Sequence, residues 1–119
     1  MKPEKVSTCS QIGNMLPLRK MRVIAVRTLK EFWERPAHRD AEQPLRAWYA
    51  EAREADWRGP KDIKSKHLSA SILGDNRVVF NIKGNKYRLI VAVKYDFRIV
   101  YIRFIGTHKD YDAVDARSV

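Results

Sequence analysis

Arg77-Val78-Val79-Phe80-Asn81-Ile82-Lys83-Gly84-Asn85-Lys86-Tyr87-Arg88-Leu89-Ile90-Val91-Ala92-Val93 reads as two strands joined by a tight turn. From Arg77 to Lys83 the side chains alternate. Val78, Phe80 and Ile82 fall on one face, and Arg77, Val79, Asn81 and Lys83 on the other. Gly84-Asn85 predicts a type II′ turn, with glycine at the first central position. Tyr87 to Val93 is apolar on both faces, as a central strand should be. Asp96 marks a further turn, and Arg98 to Ile105 is a third strand that Gly106 closes. Tyr101 and Phe104 on it are expected to pack in the core. Lys109 to Val114 is expected to form a short terminal helix.

Upstream of the hairpin the period changes. Met21 to Val26 is a β-branched run that predicts a first strand. Thr28-Leu29-Lys30-Glu31 fits a capping box, in which threonine and glutamate each satisfy the other's backbone amide. Leu29, Phe32 and Trp33 share one face of the helix that follows, and Pro36 is expected to end it. A second helix is expected from Ala41 to Ala55, with Pro44 in its first turn. There Leu45, Trp48, Tyr49 and Ala52 recur at helical spacing. Gly59-Pro60 is a break, Asp62 to Lys66 one helical turn, and Gly74-Asp75-Asn76 another turn. The order β-α-α-β-β-β predicts an α+β fold, in which Phe32, Trp33, Leu45 and Trp48 are the expected partners of the sheet's helix-facing side.

The chain has 119 residues and a net charge of +10, enough for one domain with a modest core. No apolar run reaches the roughly 18–20 residues of a membrane-spanning helix. Residues 1–20 hold no period and are expected to be a disordered extension, leaving residues 21–119 as the domain. One cysteine, Cys9, excludes an internal disulfide and makes a reducing, cytoplasmic setting the default. Charge is unevenly spread. Between Asn76 and His108 seven basic residues face one acid, whereas Glu31 to Asp56 carries seven acids against four bases. If the helices cover one sheet face, the other is expected to be open and basic, the electrostatic footprint of a phosphate-backbone binder.

Thr107-His108-Lys109-Asp110-Tyr111-Asp112 is the densest functional cluster, and it follows a strand end. Imidazoles take or give protons near neutral pH, and Tyr111 falls on the same side as His108 if a helical turn forms. His38, His67 and His108 have no ligand-spaced partners, so no metal is expected, and no Gly-rich phosphate loop precedes a helix. No cofactor is expected. Metal-free cleavage of RNA remains, because RNA supplies its own nucleophile in the 2′-hydroxyl. A protein then needs a proton carrier and cations for the charge growing on the phosphate. Asn81, Lys83 and Arg88 beside a His108–Tyr111 turn meet those needs. A non-enzymatic basic module that binds RNA or the ribosome is the alternative.

The run Asn76 to Leu89, with Tyr101-Ile102-Arg103-Phe104-Ile105-Gly106-Thr107-His108 and Tyr111-Asp112, resembles the HigB family of bacterial toxins. Asp40 to Trp57 resembles that family's second helix. The resemblance implies a RelE-like fold, with two N-terminal helices packed on one face of a small, mostly antiparallel sheet. It also implies a toxin of a type II toxin–antitoxin pair that cuts translated mRNA on the ribosome and so blocks growth. It implies neutralisation by a HigA-type helix-turn-helix antitoxin, with operator DNA reached only through the antitoxin complex. Carried over residue by residue, it gives Arg88 the scissile phosphate and His108 the proton transfer. Tyr111 becomes its substitute or a stacking platform. Asn81 and Lys83 stand where related toxins often have lysines. Arg77, Lys86, Arg103 and Lys109 are the expected RNA contacts.

Overall fold

Alternation over the first half of the hairpin and apolarity over the second produce β3 (Arg77–Ile82) and β4 (Tyr87–Lys94). They pair antiparallel, with Val79 opposite Ile90 and Asn81 opposite Arg88. The structure, a computed structural model, describes residues 20–119. The expected extension therefore lies, Lys20 apart, outside the described residues. The connection between β3 and β4 is the turn Lys83 to Lys86, closed by the Lys86 amide donating to the Lys83 carbonyl at 3.2 Å. Gly84 takes a φ of 66° at the first central position, and Lys83 is also left-handed, with a φ of 54°.

Three further strands complete the sheet: β1 (Arg22–Ile24), β2 (Ser71–Ile72) and β5 (Ile99–Thr107). The order is β1-β5-β4-β3-β2, so the strand apolar on both faces is central, as its sequence requires. Only β1 runs parallel to its neighbour, β5; the other pairs are antiparallel. The fold is α+β, as expected. Gly106 does not end its strand, because β5 continues through it to Thr107. β2 has two residues, too short to show a period.

The helices are α1 (Val26–Trp33), α2 (Glu42–Glu54), α3 (Pro60–Lys66) and α4 (His108–Asp112). The capping box expected at Thr28 does not form. α1 starts three residues earlier, with Ala25 as its N-cap, which places Thr28 inside the helix. Glu31 instead pairs with Arg27 one turn away. α1 ends at Trp33, and Pro36 opens a 3-10 segment, Pro36–Ala41, rather than ending the helix itself. α4 begins and ends earlier than the expected helix over Lys109 to Val114.

Leu29, Phe32 and Trp33 of α1 and Leu45, Trp48 and Ala52 of α2 bury one sheet face, against Val78, Phe80 and Ile82 of β3 and the odd-numbered residues Tyr87 to Val93 of β4. Phe80 is stacked with Trp57 and meets Trp48 edge-on. Truncating such a side chain to alanine costs about 3–5 kcal/mol.

The second sheet face is not uniformly open, contrary to expectation. Val79, Ile90 and Ala92 lie on it and are buried, at 1%, 0% and 1% exposure. The chain after α4 reaches back to the start of β3, where Arg77 Nη2 donates to the Val119 carbonyl at 3.0 Å. Tyr101 and Phe104 also correct the core expectation. Their cross-strand partners, Ala92 and Ile90, put them on this second face, where both are half-exposed.

Candidate active site

Strand pairing sets Arg88 in the middle of the second face at the hairpin end of the sheet. Asn81 lies opposite it on β3 and Gly106 opposite it on β5. The Arg88 guanidinium sits over the Tyr111 ring, 5.2 Å from the centroid. Its Nε is buried without a partner, and among the described residues no carboxylate pairs with it. A half-buried guanidinium with vacant donors is suited to an oxyanion, because its planar fork matches phosphate.

α4 brings the other groups to it. Thr107 Oγ1 accepts from the Asp110 amide at 3.1 Å, and Asp110 Oδ2 accepts from the Thr107 amide at 3.3 Å. This is a capping box, located here rather than on α1. It fixes the first turn directly on the end of β5. His108 Nδ1 then lies 3.3 Å from Asp112 Oδ2, and its ring meets Tyr111 edge-on with centroids 6.4 Å apart. Gly106 permits the approach, since a Cβ there would lie 2.6 Å from the Phe104 ring and 3.1 Å from Asp110 Cβ.

Asn81 is half-buried, and its amide donates to the Ser69 carbonyl at 3.4 Å. Lys64 steadies that loop through the Leu68 and Ala70 carbonyls, both at 2.6 Å. Lys83 is exposed in the turn. A groove of about 180 Å³ between α2 and β3 opens beside these two residues. The larger cavity, about 490 Å³, lies between α2 and α3 and is lined by Glu51, Glu54, Asp56 and Asp62, which makes it hostile to phosphate.

Arg88, Tyr111 and His108 thus come together, with Asn81 opposite Arg88 in the ladder and Lys83 on the adjoining turn. The expected RNA contacts are more scattered. Lys109 is exposed on α4, and Arg103 is exposed on β5. Arg77 stands at the far end of β3, engaged by the Asp75 and Val119 carbonyls. Lys86 is paired with Asp40, whose other oxygen accepts from the Tyr87 hydroxyl. These hydrogen bonds, from Lys86 first and then Tyr87, hold the Asp40 carboxyl below its ordinary value. Burial raises Tyr87, and Asp40 adds to the rise. Sequence reasoning missed Asp40. It lies 46 residues from Lys86, and no local pattern signals a contact over that separation.

A small mixed, mostly antiparallel sheet backed by two N-terminal helices is consistent with the RelE-like fold. The sequence pattern of the HigB toxin family, described as the RelE-like toxic component of a toxin–antitoxin system, matches residues 41–114, and the chain belongs to that family. It is 42% identical over 38 residues to the mRNA interferase toxin HigB of Escherichia coli (strain K12), and equally to the mRNA interferase HigB of Shigella flexneri. That stretch covers 32% of this chain and 36% of each relative, so it spans about a third of the curated relatives' length. Among the described residues no helix is long and apolar enough to cross a membrane.

Proposed function

We propose that this toxin is a metal-free endoribonuclease that cuts translated mRNA on the ribosome in the bacterial cytoplasm. The observation that carries the reading is Arg88, its donors vacant, centred between Asn81 and the His108–Tyr111 turn. Arg88 holds the scissile phosphate through two of its N–H groups. The 2′-hydroxyl of the preceding ribose attacks phosphorus, and its proton passes to His108. The bond to the 5′-oxygen breaks, and that oxygen takes a proton from water as it leaves, while the proton on His108 returns to solvent. The products are a 2′,3′-cyclic phosphate and a 5′-hydroxyl. Tyr111 orients the guanidinium from below, and Asn81 and Lys83 meet the charge on the phosphate oxygens. Lys86, Lys109 and Arg103 contact the flanking RNA. A HigA-type helix-turn-helix antitoxin neutralises the toxin, and operator DNA is reached through that complex alone.

The test incubates purified protein with mRNA that is being translated and with the same mRNA free. New fragments with cyclic-phosphate ends are expected on the translated message, and His108→Ala should slow their appearance about 10²–10⁴-fold. Salt-dependent binding with no fragments in either case would replace this reading with that of a non-enzymatic RNA-binding module.

A further inference from the structure

β5 and β1, with the end of β4 at Lys94, form the more open part of the second face. Val79 and Ile90 on the other half are buried, whereas Ile99, Tyr101 and Phe104 are half-exposed. Pairing of Arg22 with Ile99, and of Lys94 with Ile99, sets both cations on this open half. A β-bulge adds a third. Val91 pairs with Ile102 and the next residue back, Ile90, pairs with Phe104, which leaves Arg103 without a cross-strand partner. A bulge turns two consecutive residues toward one face. Arg103 and Phe104 therefore both belong to it, and the exposed Arg103 guanidinium lies over the Tyr101 ring, 5.4 Å from the centroid. Neither β1 nor β5 contains an acidic residue.

We propose that Tyr101, Arg103, Arg22 and Lys94 form a second binding platform for single-stranded RNA, distinct from the cleavage site. The proposal rests on the RNA-cleavage reading above. Gly106, beside Arg88, is five positions along β5 from Tyr101. With one position taken up by the bulge, the separation is roughly 13 Å, too far for both to serve one nucleotide. A strand held at Arg88 and running toward β1 crosses Tyr101. On binding, Arg103 moves from the ring to the adjoining phosphate, and a base stacks on the ring face it leaves. Such stacking tolerates any base, because every base has a π-face. Charge complementarity and continuity with the Arg88 site select a polyanion with flat, unpaired bases over an acidic protein.

The test is RNA binding by the full chain carrying His108→Ala to prevent cleavage, read by fluorescence anisotropy. Two single-stranded RNAs are compared, of about four and about ten nucleotides. Tyr101→Leu is expected to weaken the longer RNA about tenfold and to leave the shorter unchanged. Tyr101→Phe should bind as its parent does. Arg103→Gln should lower the salt slope by about one. Equal affinity of Tyr101→Leu and its parent for the longer RNA, with both folded by circular dichroism, overturns the platform. If Arg88→Ala weakens both RNAs while Tyr101→Leu weakens neither, the platform fails and the cleavage-site reading stands. If the parent binds neither RNA, the platform fails, and the cleavage reading stands or falls on the fragments from the translated message.

Discussion

Gly106 couples the sheet to its chemistry. It sits beside Arg88 in the ladder, and its missing side chain lets Phe104 and Asp110 close over it. Gly106→Ala forces a Cβ to within 2.6 Å of a ring carbon and 3.1 Å of the first atom of the Asp110 side chain. Overpacking of this kind costs about 1–3 kcal/mol. Relief swings the Phe104 ring aside and shifts Asp110, with the first turn of α4, by a few tenths of an ångström, which disturbs the placing of His108 and Tyr111 against Arg88. The expected outcome is a modest fall in the thermal midpoint with a much larger loss of RNA cleavage, checked by melting and cleavage assays on one preparation. A fall in both by the same proportion would show that α4 had not moved. In the sequence Gly106 looked like punctuation, because glycine after an apolar run is a common strand end. Its use here is close approach, which only the packing of α4 reveals. Asn81, by contrast, is placed on its face by alternation alone, whereas Arg88 lies in a strand apolar on both faces and the hairpin register sets it opposite Asn81.

Among the elements, the hairpin was the most legible. Its alternation, its glycine and its doubly apolar return strand all agree, and β3 and β4 form where those signals put them. The helix starts were less so. Thr28 and Thr107 both precede an acid by three residues, and the box forms only at Thr107. At Thr28 the burial of Leu29, Phe32 and Trp33 starts the helix earlier, so tertiary packing overrides the local cap. α3 is anchored by His67 at its C-terminus. The ring is edge-on to Phe80 and Trp57, with Glu51 at 3.6 Å and Lys66 adjacent in sequence. Burial pushes the His67 imidazole below its ordinary value of 6.5, with Lys66 in the same direction and Glu51 opposing. The folded state therefore binds this proton less readily than the unfolded chain does. Stability on this account is full above the ordinary histidine value, declines as pH falls below it, and levels off once the folded form is protonated. Melting from about pH 8 to about pH 5 should show that decline, and His67→Gln should flatten it. An identical slope in the variant would contradict the assignment. Asp40 does not confuse the result, because its carboxyl lies below 3.8, outside that window.

At the scale of the whole molecule, charge divides as the sequence divides it. Acids gather around the cavity between α2 and α3, and cations gather on the strands. What composition could not show is how the second face is shared. The C-terminal segment reaches Arg77 at the start of β3, and the bulge at Arg103 exposes an aromatic and basic strip on β5. Both depend on contacts between residues far apart in the chain, as does the Asp40 bridge to Lys86 and Tyr87. Cutting of translated messages by the proposed Arg88–His108 site is best checked by brief induction of the toxin in a bacterial host and mapping of transcript 5′ ends, with Arg88→Ala and His108→Ala alongside. Growth arrest with new 5′ ends inside translated regions is expected, both lost in the folded variants. Growth arrest without new 5′ ends, or cutting that persists in both variants, would contradict that proposal.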